Sequence, residues 1–184
     1  MYNVRNKKES AKMYSVVGKA TTGGDLQLVQ NGMFGEIGDR IEADIYEFLP
    51  VSATAKDIFV LATPEVDADE SSYEKNTLRG FKLVLGQVGD ATQVERHAKG
   101  EISEDMITVA QEVTIAKTGY LYLKAGDRKL TYKATKPDKA TDSALLIAKI
   151  ENIVQSVQGL FIGGNGQNLI PQTKNVIFRV LETV

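Results

Sequence analysis

Short apolar runs alternate with clusters of Gly, Asn, Asp and Pro at intervals of about ten residues. That rhythm predicts an all-β fold, a single β-sandwich or barrel-like domain with long loops. Residues 26–29 and 33–37 flank Asn31-Gly32. Asn-Gly between two such runs predicts a hairpin with a type I′ turn, because both central residues of that turn need positive φ. Residues 41–48 read as one further strand, with Ile41, Ala43 and Ile45 on one face. Residues 57–63 are continuously apolar at their centre and stop at Pro64, which predicts a short strand buried on both faces.

Further along, 80–86, 106–109 and 113–116 read as strands. Residues 120–123 alternate Tyr and Leu, so the tyrosines share one face and the leucines the other. The turn Ala125-Gly126-Asp127 leads into a returning strand over 129–134, with Leu130 and Tyr132 on one face. Residues 144–158 carry two signals. Leu146, Ile150, Ile153 and Val157 recur at helical spacing, whereas the Ile and Val content favours a pleated surface. The balance leans to a strand. Residues 176–181 predict a terminal strand paired within the sheet, so that its loss unfolds the domain.

Residues 1–15 form a separate stretch, polar and locally basic through Arg5, Lys7, Lys8 and Lys12. It reads as a flexible basic N-terminal arm preceding a β domain over 16–184, with a weak internal boundary near 135–143. The start lacks the apolar core of a signal peptide, and no apolar run approaches the length of a membrane helix.

Composition narrows the chemistry. The chain has 184 residues, 42% hydrophobic and 25% charged, which is ordinary for a globular protein. Its 22 basic and 24 acidic residues argue against a general nucleic-acid binder. Absence of cysteine excludes disulfides, thiolate metal sites and cysteine nucleophiles. The single histidine, His97, excludes a two-histidine metal site within one chain, and no nucleophile elbow accompanies it. The glycine-rich stretch 163–168 lacks the Lys-Ser/Thr pair of a phosphate loop. The acidic stretch starting at Asp67 has Ser72 and Leu78 where a calcium loop needs its glycine and its bidentate glutamate. No catalytic, metal or cofactor residue is assigned. Tyr120 and Tyr122 read as core or interface rings rather than a base-stacking platform. Met33 and Phe34 are open to two readings, an association patch at a hairpin tip or core.

Residues 16–19, 30–39, 58–71, 80–81 and 99–101 with the strand at 108–109, taken in that order, resemble the auxiliary capsid proteins of tailed bacteriophages. These are the decoration or cement proteins and the base domains of head fibres. The resemblance implies a structural virion protein, without enzymatic activity or cofactor. It would bind the assembled shell of the major capsid protein and stabilise it on the outer capsid surface, after assembly in the host cytoplasm. The implied partners are the major capsid protein and further copies of the chain, with no direct nucleic-acid or membrane contact. Arg5, Lys7, Lys8, Lys12, Met33 and Phe34 are the expected partner contacts. The alternative is a non-catalytic ligand- or carbohydrate-binding β module, possible also on a virion surface.

Overall fold

The computed structural model describes residues 2–5, 12–18, 29–62, 82–83, 88–157 and 172–184. Its strands, in chain order, begin with β1 (Tyr2–Arg5), β2 (Met13–Gly18), β3 (Val29–Gln30), β4 (Phe34–Glu42) and β5 (Ile45–Leu49). They continue with β6 (Phe59–Leu61), β7 (Lys82–Leu83), β8 (Gly89–Gln93), β9 (Lys99–Ser103) and β10 (Ile107–Thr108). The series ends with β11 (Tyr120–Lys124), β12 (Leu130–Lys133), β13 (Ala144–Val157) and β14 (Gln172–Glu182). One turn of 3-10 helix, Glu104–Met106, joins β9 to β10.

Two large sheets result. A closed five-stranded barrel runs β2-β5-β4-β6-β8, and a seven-stranded sheet runs β1-β9-β14-β13-β11-β12-β10. Pairing is antiparallel except for β2 with β5 and β10 with β12. The all-β reading therefore holds, with a barrel and a curled sheet sharing one main core.

Period-two alternation decides which core each side chain joins. Phe59 and Leu61 of β6 fill the barrel with Val16, Phe48 and Ala91. Ile58 and Val60 point the other way, into the main core with Phe34, Leu121, Leu123, Leu146 and Phe178. The predicted strand buried on both faces is thus real, and its continuous apolar sequence follows from facing two cores at once. Each such side chain stabilises the fold by about 1.5–3 kcal/mol when fully buried.

Tyr120–Lys124 behaves as its alternation predicts. Leu121 and Leu123 enter the main core. Tyr122 packs on the opposite face with Ala144, Ile147 and the half-buried Tyr120. Leu130 and Tyr132 of β12 both join the main core. The terminal strand β14 lies between β9 and β13, with Val176, Phe178 and Val180 fully buried.

Segment 144–157 is a strand along its whole length. Its helical-looking spacing has a β explanation. Leu146, Ala148 and Ile150 face the main core by period two. The register with β14 then shifts between Ile150 and Asn152, so Glu151 is an extra residue. Past the bulge Ile153 returns to the core face, opposite Val176.

Three expectations are corrected. The first is the 26–37 hairpin. β3 pairs with β7, while β4 pairs with β5 and β6. The Asn31-Gly32 turn has positive φ only at Gly32 (+88°), and Met33 N donates to Gln30 O at 3.1 Å, so it is not type I′. The turn is buried, Asn31 being 7% exposed. Its amides serve distant strands: Gly32 N donates to Leu61 O at 2.9 Å and Phe34 N to Arg128 O at 2.8 Å. Buried backbone groups must be paired, and here tertiary partners outcompete the local hairpin.

The second correction is the 41–48 strand, which splits into β4 and β5 around Ala43-Asp44. Ala43 takes a positive φ and Arg40 Nε donates to its carbonyl. The third concerns 113–116, which is extended loop and joins no sheet. Within residues 1–15, β1 pairs with β9 and the start of β2 with β8, while residues 6–11 lie outside the described residues. On either side of 135–143, β12 and β13 belong to the same sheet. The segment is knitted by its own side chains: Asp138 Oδ1 accepts from Ala140 N and Thr141 N, and Asp142 binds Lys133 at 2.6 Å. Residues 63–81 and 158–171, with the acidic and glycine-rich stretches, lie outside the described residues.

Candidate interaction surface

Phe34 has no exposed surface. Met33 is half-buried and packs against both cores. The association-patch reading of this pair is therefore replaced by core. Arg5 lies on β1, opposite Lys99 of β9. Lys12 is exposed, and its backbone carbonyl accepts from Gln93 N at 2.9 Å. Lys7 and Lys8 lie outside the described residues.

β1 is an outermost strand of the seven-stranded sheet. It pairs with β9 on one side and, among the described residues, with nothing on the other. An edge strand presents a row of backbone donors and acceptors to any extended segment that aligns with it.

Beside β1, the solvent face of β9, β14 and β13 is laced with matched charges. The bulge residue Glu151 meets Lys99 Nζ at 3.1 Å and Arg179 Nε at 2.6 Å. Burial tends to raise its carboxyl pKa, but hydrogen bonds from Lys99 and Arg179 hold it below the ordinary value. Asn175 Nδ2 donates to Glu101 Oε1 at 3.0 Å. At the sheet's end Glu182 binds Lys136 at 2.8 Å and Lys139 at 3.7 Å, and the Lys136 hydrogen bond lowers its pKa.

Two grooves stand out among the described residues. One, of about 280 Å³, runs between the 109–115 loop and β13–β14 and is lined by Val109, Val113, Ile115, Ile153 and Lys174. The other, of about 420 Å³, lies on the barrel where β2, β4 and β6 meet the 50–58 connection. Among the described residues no three acidic or histidine side chains group closely enough to hold a metal ion. His97 is exposed on a turn at φ 69°, its backbone N donating to Val180 O at 2.8 Å. Among the described residues, no helix is long and apolar enough to cross a membrane.

Sequence reasoning missed Glu151 and Arg179, and it missed Glu36 and Asp57 of the barrel groove. Each partnership joins residues far apart in the chain and leaves no local spacing to read. No family model, curated protein or solved structure matches the chain.

Proposed function

We propose that the chain is a structural virion protein of the capsid-decoration kind, which binds the assembled major capsid protein shell and stabilises it from the outside. The observation that carries this reading is the place of β1 at an edge of the seven-stranded sheet, where among the described residues its outer side pairs with no strand. An extended segment of a shell subunit or of a sister copy would add to that edge through main-chain hydrogen bonds, with little demand on sequence. Arg5 belongs to that strand, and the sequence around it is locally basic. Two cores packed on shared strands support the reading further, since a stiff body loses little freedom when it docks. Many copies, each with a modest interface, would stabilise the shell by binding only its assembled form.

The test is co-sedimentation of the purified chain with expanded and unexpanded shells of the major capsid protein from the same genome. Saturable pelleting with expanded shells is expected. A variant carrying Arg5→Glu, Lys7→Glu and Lys8→Glu should bind them at least tenfold more weakly with unchanged melting. Absence of pelleting with either shell overturns the reading.

A further inference from the structure

The barrel groove combines rigid rings with oriented oxygens. Its floor is Tyr14, Ile37 and Phe59, the same side chains that pack inside the barrel, so the groove is where the barrel interior reaches solvent. Tyr14 is held edge-on between Tyr46, at 5.2 Å and 82°, and Phe59, at 5.4 Å and 81°. The rim holds two half-buried carboxylates, each fixed through one oxygen. Glu36 Oε2 accepts from Ser52 Oγ at 2.8 Å and Ser52 N at 3.2 Å. Asp57 Oδ1 accepts from Gln93 Nε2 at 2.7 Å. Among the described residues Glu36 Oε1 and Asp57 Oδ2 make no hydrogen bond, and Lys56 makes no ion pair, although all three residues line the groove.

The arrangement selects a ligand class. Two carboxylates against one ammonium repel phosphates and other anions. A small apolar floor ringed by polar groups suits no long hydrocarbon. A sugar ring fits both parts, laying a C–H face on the aromatic floor while its hydroxyls donate to the fixed carboxylate oxygens and accept from Lys56 and Thr54. Oxygens held in place by Ser52 and Gln93 lose little freedom on binding. We propose that this groove, walled by Tyr14, Glu36 and Asp57, is a binding site for a neutral saccharide. It lies on the barrel, whereas β1 lies on the other sheet, so saccharide binding is a property of the isolated chain and independent of any shell.

The experiment titrates the isotope-labelled full chain with neutral oligosaccharides, namely cellohexaose, maltohexaose, xylohexaose and chitohexaose, and follows backbone amide shifts. At least one sugar should shift the amides of Tyr14, Ile37 and 52–59. Glu36→Gln and Asp57→Asn, with spectra otherwise unchanged, should each weaken that sugar about tenfold. Thr54→Val serves as a second rim variant should either of those two lose its fold, and Lys174→Gln in the other groove should leave affinity unchanged. Absence of shifts at these amides with all four sugars at millimolar concentration overturns the proposal. So does a sugar affinity indifferent to the rim variants, or the same shifts produced by a lysine-rich peptide and by none of the sugars. Shell pelleting, measured separately, is unaffected by any of these outcomes.

Discussion

Arg128, in the connection from β11 to β12, donates from Nη2 to the Phe48 carbonyl at 3.0 Å and stands over the Phe48 ring, 5.5 Å from its centroid. The same connection gives Gly126 N to Val51 O at 2.7 Å and takes Phe34 N on the Arg128 carbonyl. Three hydrogen bonds therefore fasten a hairpin of the sheet to the barrel. Burial lowers the Arg128 pKa, yet an arginine remains charged at any working pH. Arg128→Met removes the charged donor and leaves a partly buried carbonyl. Urea unfolding should show a loss of about 1–3 kcal/mol. Arg128→Lys should recover only part of it, since an ammonium lacks the planar fork.

Gly35 is required by close approach rather than by backbone conformation. A Cβ there would stand 2.5 Å from Leu49 O and 2.7 Å from the Phe48 ring. Both obstacles belong to neighbouring β5, and Phe48 is fully buried. Gly35→Ala should cost about 3 kcal/mol or more, read as a lower urea midpoint. A change under 1 kcal/mol, on the order of a surface substitution, would count against this packing.

The bulge at Glu151 separates charge from register. Glu151→Gln weakens exposed ion pairs to Lys99 and Arg179 and should cost under about 1 kcal/mol. Deleting Glu151 instead removes the extra residue and places Ile153 two positions after Ile150, so both stay on the core face and the pairing with Phe178, Ile177 and Val176 is kept. That deletion should therefore cost little beyond the lost ion pairs, about 1 kcal/mol. A loss of about 3 kcal/mol or more, the size of a lost core side chain, would contradict the register.

Asp138, Asp142, Glu151 and Glu182 are all held below the ordinary carboxyl range in the folded chain. For Asp142 the leading cause is the Lys133 hydrogen bond, and for Asp138 the backbone amide of Thr141. The unfolded chain, with carboxyl pKa values of about 4, takes up protons first as pH falls. Their stabilisation is complete above that range and is lost as pH drops through the depressed folded values. Urea midpoints should hold from neutrality down to about pH 5 and fall below it. Asp142→Asn should flatten that acid limb and leave the alkaline side unchanged.

Much of the fold was legible wherever a strand follows its own alternation. Tyr120 to Leu123 assigns its faces by sequence alone, and the Ile58–Leu61 run declares burial on both sides. The misreadings share one physical cause. Asn31-Gly32 has the local chemistry of a hairpin, but Leu61 and Arg128, distant in sequence, take its backbone bonds. Ala43-Asp44 reverses the chain without glycine or proline, so no breaker marked it. At 144–157 a single inserted residue mimicked the period of a helix. For the surface, the basic charge of Arg5 and Lys12 could be read from sequence, whereas the place of β1 at the end of the sheet depends on which strand lies outermost. The oxygens of Glu36 and Asp57 gather only after the barrel has closed.

β6 is three residues long and has apolar neighbours front and back. Such a party wall ties the fates of the compartments it divides. Neither can empty while its neighbour stays filled, so heat should melt barrel and sheet together as one cooperative unit.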